Sequence, residues 1–214
     1  MSASIVLKMA TPNQTRFACL NFHYAKSVPS AAVSFACFED NKFVGVIVYG
    51  GGANKYIGNQ YGMKQGQVYE LVRVALNKEQ HKMPTTKYVA ISLRLLKKVK
   101  PLTRVVVSYA DRGYQHHEGI IYKAGNWIFD GVSKSDWIMV NGKPMHPRSA
   151  NAKWGSLKNI PNGYEYIKGA EKLKYLYFFD KELELKYMRQ KHKSNVSSVQ
   201  EEKGGAIPTL THQA

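Results

Sequence analysis

The run Val105-Val106-Val107, closed by Ser108-Tyr109-Ala110-Asp111, constrains the fold more than any other stretch of the chain. Consecutive β-branched residues favour an extended strand, and an unbroken apolar run marks that strand as buried. Ser108 and Asp111 end the run. They place a hydroxyl and a carboxylate at the strand's carboxyl end, where open α/β sheets keep their binding sites. Tyr122 follows in Gly119-Ile-Ile-Tyr-Lys-Ala-Gly-Asn-Trp, a short helix with Gly125 as its stop. With His116 and His117 between them, one loop gathers a carboxylate, a phenol and two imidazoles.

The flanking elements fit the same architecture. Ile5 to Met9 reads as a strand, and Thr11 or Asn13 caps a helix from Pro12 to about Phe22. Val33–Phe38 and Phe43–Tyr49 flank Glu39-Asp40-Asn41-Lys42 as a β-hairpin, and the segment from Asn54 to Gly66 has no clear period. Gln67 to Leu76 returns to strand, and a helix runs from about Thr86 to Lys100, stopped by Pro101. Its apolar stripe is Tyr88, Ile91, Ser92, Leu95 and Val99. Asn126 to Gly131 is a strand, Gly142 to Gly163 a long basic loop, and Lys172 to Phe179 a last strand. From about Gln190 the Ser, Glu, Gly and Thr content suggests a disordered tail, so residues 1–189 form the domain and 190–214 the tail. The expected fold is α/β (α+β), a central mixed sheet with helices on both faces.

Charge narrows the partners. Thirty-one basic against 15 acidic residues leave +16, and residues 71–130 hold 11 basic and four acidic side chains, a net +7 around the candidate site. A phosphate-rich partner is the natural inference, because neutralising backbone phosphates releases counterions; lysine used for solubility is the bland alternative. No apolar run approaches the ~20 residues that span a bilayer, and the start lacks a signal segment, so a cytoplasmic location without membrane is expected. Cys19 and Cys37 lie in apolar company and read as buried free thiols.

Ile121-Tyr122-Lys123-Ala124-Gly125-Asn126-Trp127 is similar to the "L-Y-x-x-x-G-F" segment of the GNAT acetyltransferases. That resemblance makes Tyr122 the acid that protonates the leaving group. A more specific resemblance rests on three stretches together: His23-Tyr24, Glu70-Leu71-Val72-Arg73, and Ser108-Tyr109-Ala110-Asp111 with His117-x-Gly119 and Ile121-Tyr122-x-Ala124. Up to about Phe179 the chain resembles the bacteriophage Mom adenine-modification family, regarded as a divergent GNAT fold. The resemblance implies conversion of adenine in double-stranded DNA to N6-(carbamoylmethyl)adenine, which shields phage DNA from host restriction. It implies His23, Tyr24, Asp111 and Tyr122 as catalytic residues. Arg73, Ser108, His117 and Asn126 are then expected to bind substrate, and Lys78, Lys82 and Thr85 to hold the donor, which is acetyl-CoA, another acyl donor or an aminoacyl-tRNA.

Two departures qualify this expectation. The stretch Asn77 to Thr85 carries no glycine, whereas the usual donor loop has spaced glycines that let backbone amides reach a pyrophosphate. The family product also has a methylene carbon on N6, where simple acyl transfer leaves a carbonyl carbon.

Each residue has a plainer reading. Tyr122 is a core tyrosine or an acid; Asp111 caps a turn or takes a proton from the weakly nucleophilic adenine amine. His23 and Tyr24 are surface loop residues unless the fold carries them to Asp111. His116 and His117 with His23 and Asp111 offer ligands suited to zinc or iron, although adjacent histidines seldom share one metal. Arg73 is a site residue, a phosphate contact or a solvent-facing strand residue. Trp154 is the best of three tryptophans for stacking on an extruded base. Three functions remain: a DNA-adenine modifying enzyme, an acyl-CoA N-acyltransferase acting on a non-DNA amine, and a non-catalytic basic DNA-binding protein.

Overall fold

The computed structural model describes residues 4–52, 57–79, 82–112, 118–134, 137–167 and 171–204; of residues 134 and 194–204 only the backbone is described. The chain divides into two units, Met1–Tyr177 and Phe178–Ala214. The first is built on seven strands: β1 (Ile5–Met9), β2 (Val33–Glu39), β3 (Lys42–Gly50), β4 (Val68–Leu76), β5 (Val105–Asp111), β6 (Ile128–Lys134) and β10 (Glu171–Phe178). They lie in the order β1-β2-β3-β4-β5-β10-β6. β1 to β4 are antiparallel neighbours, β4 and β5 run parallel, and β10 pairs antiparallel with β6, so the sheet is mixed as expected.

Local chemistry explains the elements. Asp40 and Asn41 join β2 to β3 with φ of 48° and 66°. That is the paired left-handed turn whose twist matches a hairpin, and Asp and Asn tolerate it. Helix α1 (Pro12–Asn21) begins at Thr11, whose side chain accepts from the Gln14 amide while Gln14 reaches back to the Thr11 amide.

Helix α2 (Thr85–Val99) follows β4 and returns the chain to the parallel strand β5. It buries Tyr88, Val89, Ser92, Leu93 and Leu96, and Val99 is exposed. The buried face is thus centred on 89, 93 and 96 rather than on the expected 91, 95 and 99. Tyr88 and Ser92 belong to both stripes, and the sheet selects the one their hydroxyls can serve. Ser92 meets the Tyr49 hydroxyl at 2.7 Å inside the core. Ala18 and Cys19 of α1 pack on Val46, Val48 and Ala75. Side chains alternate along β3, so Val46 and Val48 face one way and Tyr49 the other. The two helices therefore cover opposite faces of the sheet. Cys19 and Cys37 are buried free thiols.

Two stretches depart from the sequence reading. Residues 142–163 are not a loop: β7 (Trp137–Val140), β8 (Lys143–Met145) and β9 (Glu165–Ile167) form a second sheet in the order β8-β7-β9. Helix α4 (Pro147–Trp154), started by a His146 cap and Pro147, packs there around Ile138, Val140, Ala150 and Ile160. The elements are too short for periodicity to reveal, and their core is assembled from single residues far apart in sequence. In the second unit the backbone is helical over α5 (Lys181–Gly204), including residues 190–204 that composition left without regular structure. Glu, Lys, Gln, Arg and Met are strong helix formers even where no apolar stripe is present. A short helix α3 (Ile120–Lys123) is capped by Ala124 and followed by Gly125, the expected stop. Among the described residues no helix is long and apolar enough to cross a membrane.

Candidate active site

The sheet opens where the site lies. β4 and β5 are paired only from Val68↔Val105 to Leu71↔Ser108, after which Val72–Leu76 and Tyr109–Asp111 diverge. Parted strands leave a wedge, and a cavity of about 1060 Å³ occupies it. His23, Tyr24, Arg73, Asp111 and Tyr122 all line this cavity, although nearly ninety residues separate His23 from Asp111.

Tyr122 comes from α3, which begins after Gly119 at φ 69°. A Cβ added at Gly119 would stand 2.4 Å from the Tyr175 ring, and that ring stacks on Tyr122 at 5.0 Å. Glycine thus sets how closely the helix approaches the strand. The Ser108 hydroxyl donates to the Tyr122 oxygen at 2.8 Å and stands 2.9 Å from the Leu71 carbonyl oxygen, a second acceptor for the same proton. Burial pushes the Tyr122 hydroxyl up to about 12, Ser108 opposes the shift, and Tyr24, Tyr175 and Glu70 add to it. The phenol keeps its proton at neutral pH.

The loop after α1 carries His23 and Tyr24, with ring centroids 4.2 Å apart. The Ala25 amide donates to His23 Nδ1 at 3.1 Å, so the neutral imidazole carries its proton on Nε2. Arg73, from the diverging part of β4, ties this loop to the sheet. Its Nη2 donates to Ser27 Oγ at 3.2 Å and its Nη1 to the Val72 carbonyl at 2.7 Å. Burial, then Asp111, raise the Tyr24 hydroxyl's pKa and Arg73 lowers it, which places all three groups within electrostatic reach.

The remaining sequence candidates fall in different places. Lys78 and Thr85 line the cavity, and Ser108 acts from behind Tyr122. Lys82 is exposed and is not among the cavity's lining residues; its backbone amide and that of Met83 donate to the Glu39 carboxylate at 3.1 and 3.3 Å. The Tyr88 hydroxyl donates to the same carboxylate, which is 4% exposed. Asn126 is exposed in a left-handed turn at φ 60°, also apart from the lining residues. His116 and His117 lie outside the described residues. Among the described residues no group of three or more His, Cys, Asp or Glu side chains is placed to hold a metal ion. Trp154 packs against the core of the second sheet with Lys153 Nζ 4.5 Å from its ring centre, and it is not among the cavity's lining residues.

Sequence reasoning missed several lining groups. Glu70 of β4 and Tyr109 of β5 both face the cavity, and burial, then Glu70 and Asp130, push Tyr109 up to about 12. Glu70 stood in a recognised stretch, and a carboxylate inside an apolar strand was signal enough. His146 and Arg148, from a region read as a loop, and Lys172, from the expected last strand, also line the cavity.

A parallel strand pair that parts over a cavity, with helices on both faces, defines an acetyltransferase-like fold of the GNAT type. An acetyltransferase from Bacillus subtilis, solved in complex with CoA, superposes with a TM-score of 0.50 at 12% identity, covering 84% of this chain and 100% of that one. A structure described as that of a candidate phosphinothricin N-acetyltransferase gives 0.50 at 7% identity, covering 83% and 99%. The sequence profile of the Mom protein family matches residues 4–195, and the chain belongs to that family. No curated protein sequence matches it.

Proposed function

We propose that this chain is a DNA-modifying transferase that converts adenine in double-stranded DNA to N6-(carbamoylmethyl)adenine and so protects phage DNA from host restriction. The observation that carries this reading is the convergence of His23, Tyr24, Asp111 and Tyr122 on one cavity in a member of the Mom family. The adenine N6 amine is tied up in pairing and stacking, so the target base is extruded into the cavity. That costs a few kcal/mol, offset by contacts to the phosphates.

Substitution at N6 removes one proton from the amine, and in this reading Asp111, one of the cavity's carboxylates, accepts it. Tyr122, protonated and backed by Ser108, gives its proton to a departing group. His23 offers an N–H at Nε2, and Arg73 holds its loop against β4. Glu39 already occupies the amides of Lys82 and Met83, so these two amides are not open to a donor pyrophosphate. An acyl donor such as acetyl-CoA would instead meet Lys78 and Thr85; transfer of its acyl group alone would leave a carbonyl carbon on N6, so the carbamoylmethyl product requires a rearrangement after acylation or a donor activated at its methylene carbon.

Nucleoside mass spectrometry of DNA from bacteria expressing the chain tests the reading. The expected result is a heavier adenine nucleoside with the wild type, and its loss with Asp111→Asn while DNA binding persists. Unmodified DNA in the presence of folded protein, or an Asp111→Asn variant that modifies at the wild-type rate, overturns it. Acylation of a non-DNA amine in place of adenine makes the chain an ordinary N-acyltransferase.

A further inference from the structure

One wall of the cavity has no part in the chemistry above. It is formed by Ser133 and Lys172, register partners across β6 and β10, and by His146 and Arg148 at the start of α4. The Arg148 amide donates to His146 Nδ1 at 3.0 Å, which leaves the proton of the neutral ring on Nε2. The Trp137 ring meets the imidazole edge-on at 5.9 Å and fixes its plane. Burial, then Arg148 and Lys172, lower the basicity of His146, so both cations stand close to an uncharged ring. None of these four lining residues is acidic, and neither cation makes an ion pair among the described residues. The segment 137–167 continues the bias with four basic residues against Glu165 alone.

A neutral N–H donor flanked by two unpaired cations matches an oxyanion, through charge-assisted hydrogen bonds. We infer that His146, Arg148 and Lys172 grip the phosphodiester backbone beside the extruded adenine, so the start of α4 and the facing part of β10 hold the DNA. The inference rests on the DNA-modification reading. Two phosphate sources are available to such a wall, the DNA strand and the donor. The donor candidates Lys78 and Thr85 come from the end of β4 and the start of α2, a separate part of the chain. Arg148 both lines the cavity and is exposed, so a strand outside the cavity can meet it while one of its bases lies within.

The test compares wild type with Arg148→Gln/Lys172→Gln in binding a duplex oligonucleotide across a salt series, with CoA binding measured by calorimetry in parallel. Each lost phosphate contact should reduce the slope of log K against log salt by about 0.9, so a fall of about two is expected, with CoA binding unchanged. Arg148→Lys should recover most of the affinity, which a merely unfolded variant could not do. An unchanged slope in the double variant overturns the inference, as does weakened CoA binding with DNA binding intact. Wild-type protein that binds duplex DNA with the expected slope, yet leaves adenine unmodified, sinks the modification reading and spares the grip. Wild-type modification with an unaltered slope in the double variant does the reverse.

Discussion

Tyr122 shows how burial makes a weak acid dependable. Its hydroxyl, pushed up to about 12, remains a donor throughout the neutral range. The sign follows from linkage: a folded-state value above the ordinary 10.0 adds stability below pH 10 and loses it as pH rises toward 12. Tyr122→Phe is expected to slow modification about 10²- to 10⁴-fold, and the wild type should show no alkaline loss of rate attributable to this phenol below pH 10.0. A pH–rate profile read by nucleoside mass spectrometry checks both, and full activity in the phenylalanine variant removes Tyr122 from the chemistry. Asp111 and Tyr122 stood out because short polar motifs interrupt apolar elements, whereas His23 and Tyr24 were marked only by the family resemblance. Glu70 and Tyr109 were readable by the same rule and went unused. His146, Arg148 and Lys172 were not, because only tertiary folding brings them to the cavity.

Among the elements, the loop before α2 is held by an internal anion. Glu39 closes β2 and accepts from two loop amides and from Tyr88 on the helix, so one carboxylate joins strand, loop and helix. Glu39→Gln keeps the shape and removes the charge, and should cost about 2–4 kcal/mol by urea denaturation. A change below ~0.5 kcal/mol would mean the contacts are incidental. The sequence disclosed this element only in part. Lys82 was expected to face a donor, yet its amide is turned to Glu39; a hydrogen bond spanning 43 residues has no local signature. The stripe of α2 was displaced for a related reason, since positions 88 and 92 belong to both candidate stripes and buried partners on the sheet choose between them. Long strands and capped helices were readable because their periodicity is local. The small second sheet was not, because three- and four-residue strands are too brief to carry one.

For the molecule as a whole, excess positive charge and a split sheet act together. Under the proposed function, the cations draw in the DNA polyanion and the split gives one of its bases somewhere to go. The split also leaves a mark on proton exchange. Past Leu71, the edge of β4 that would have bonded to β5 borders the cavity, while its other edge stays paired to β3. Amides along one strand should therefore fall into two populations, fast toward the gap and slow toward β3. Duplex and donor together should slow the fast set alone, as followed by deuterium uptake resolved to single residues. Uniformly slow exchange along Val72–Leu76 in the free protein would mean that the gap is closed at rest and that substrate must pry it apart.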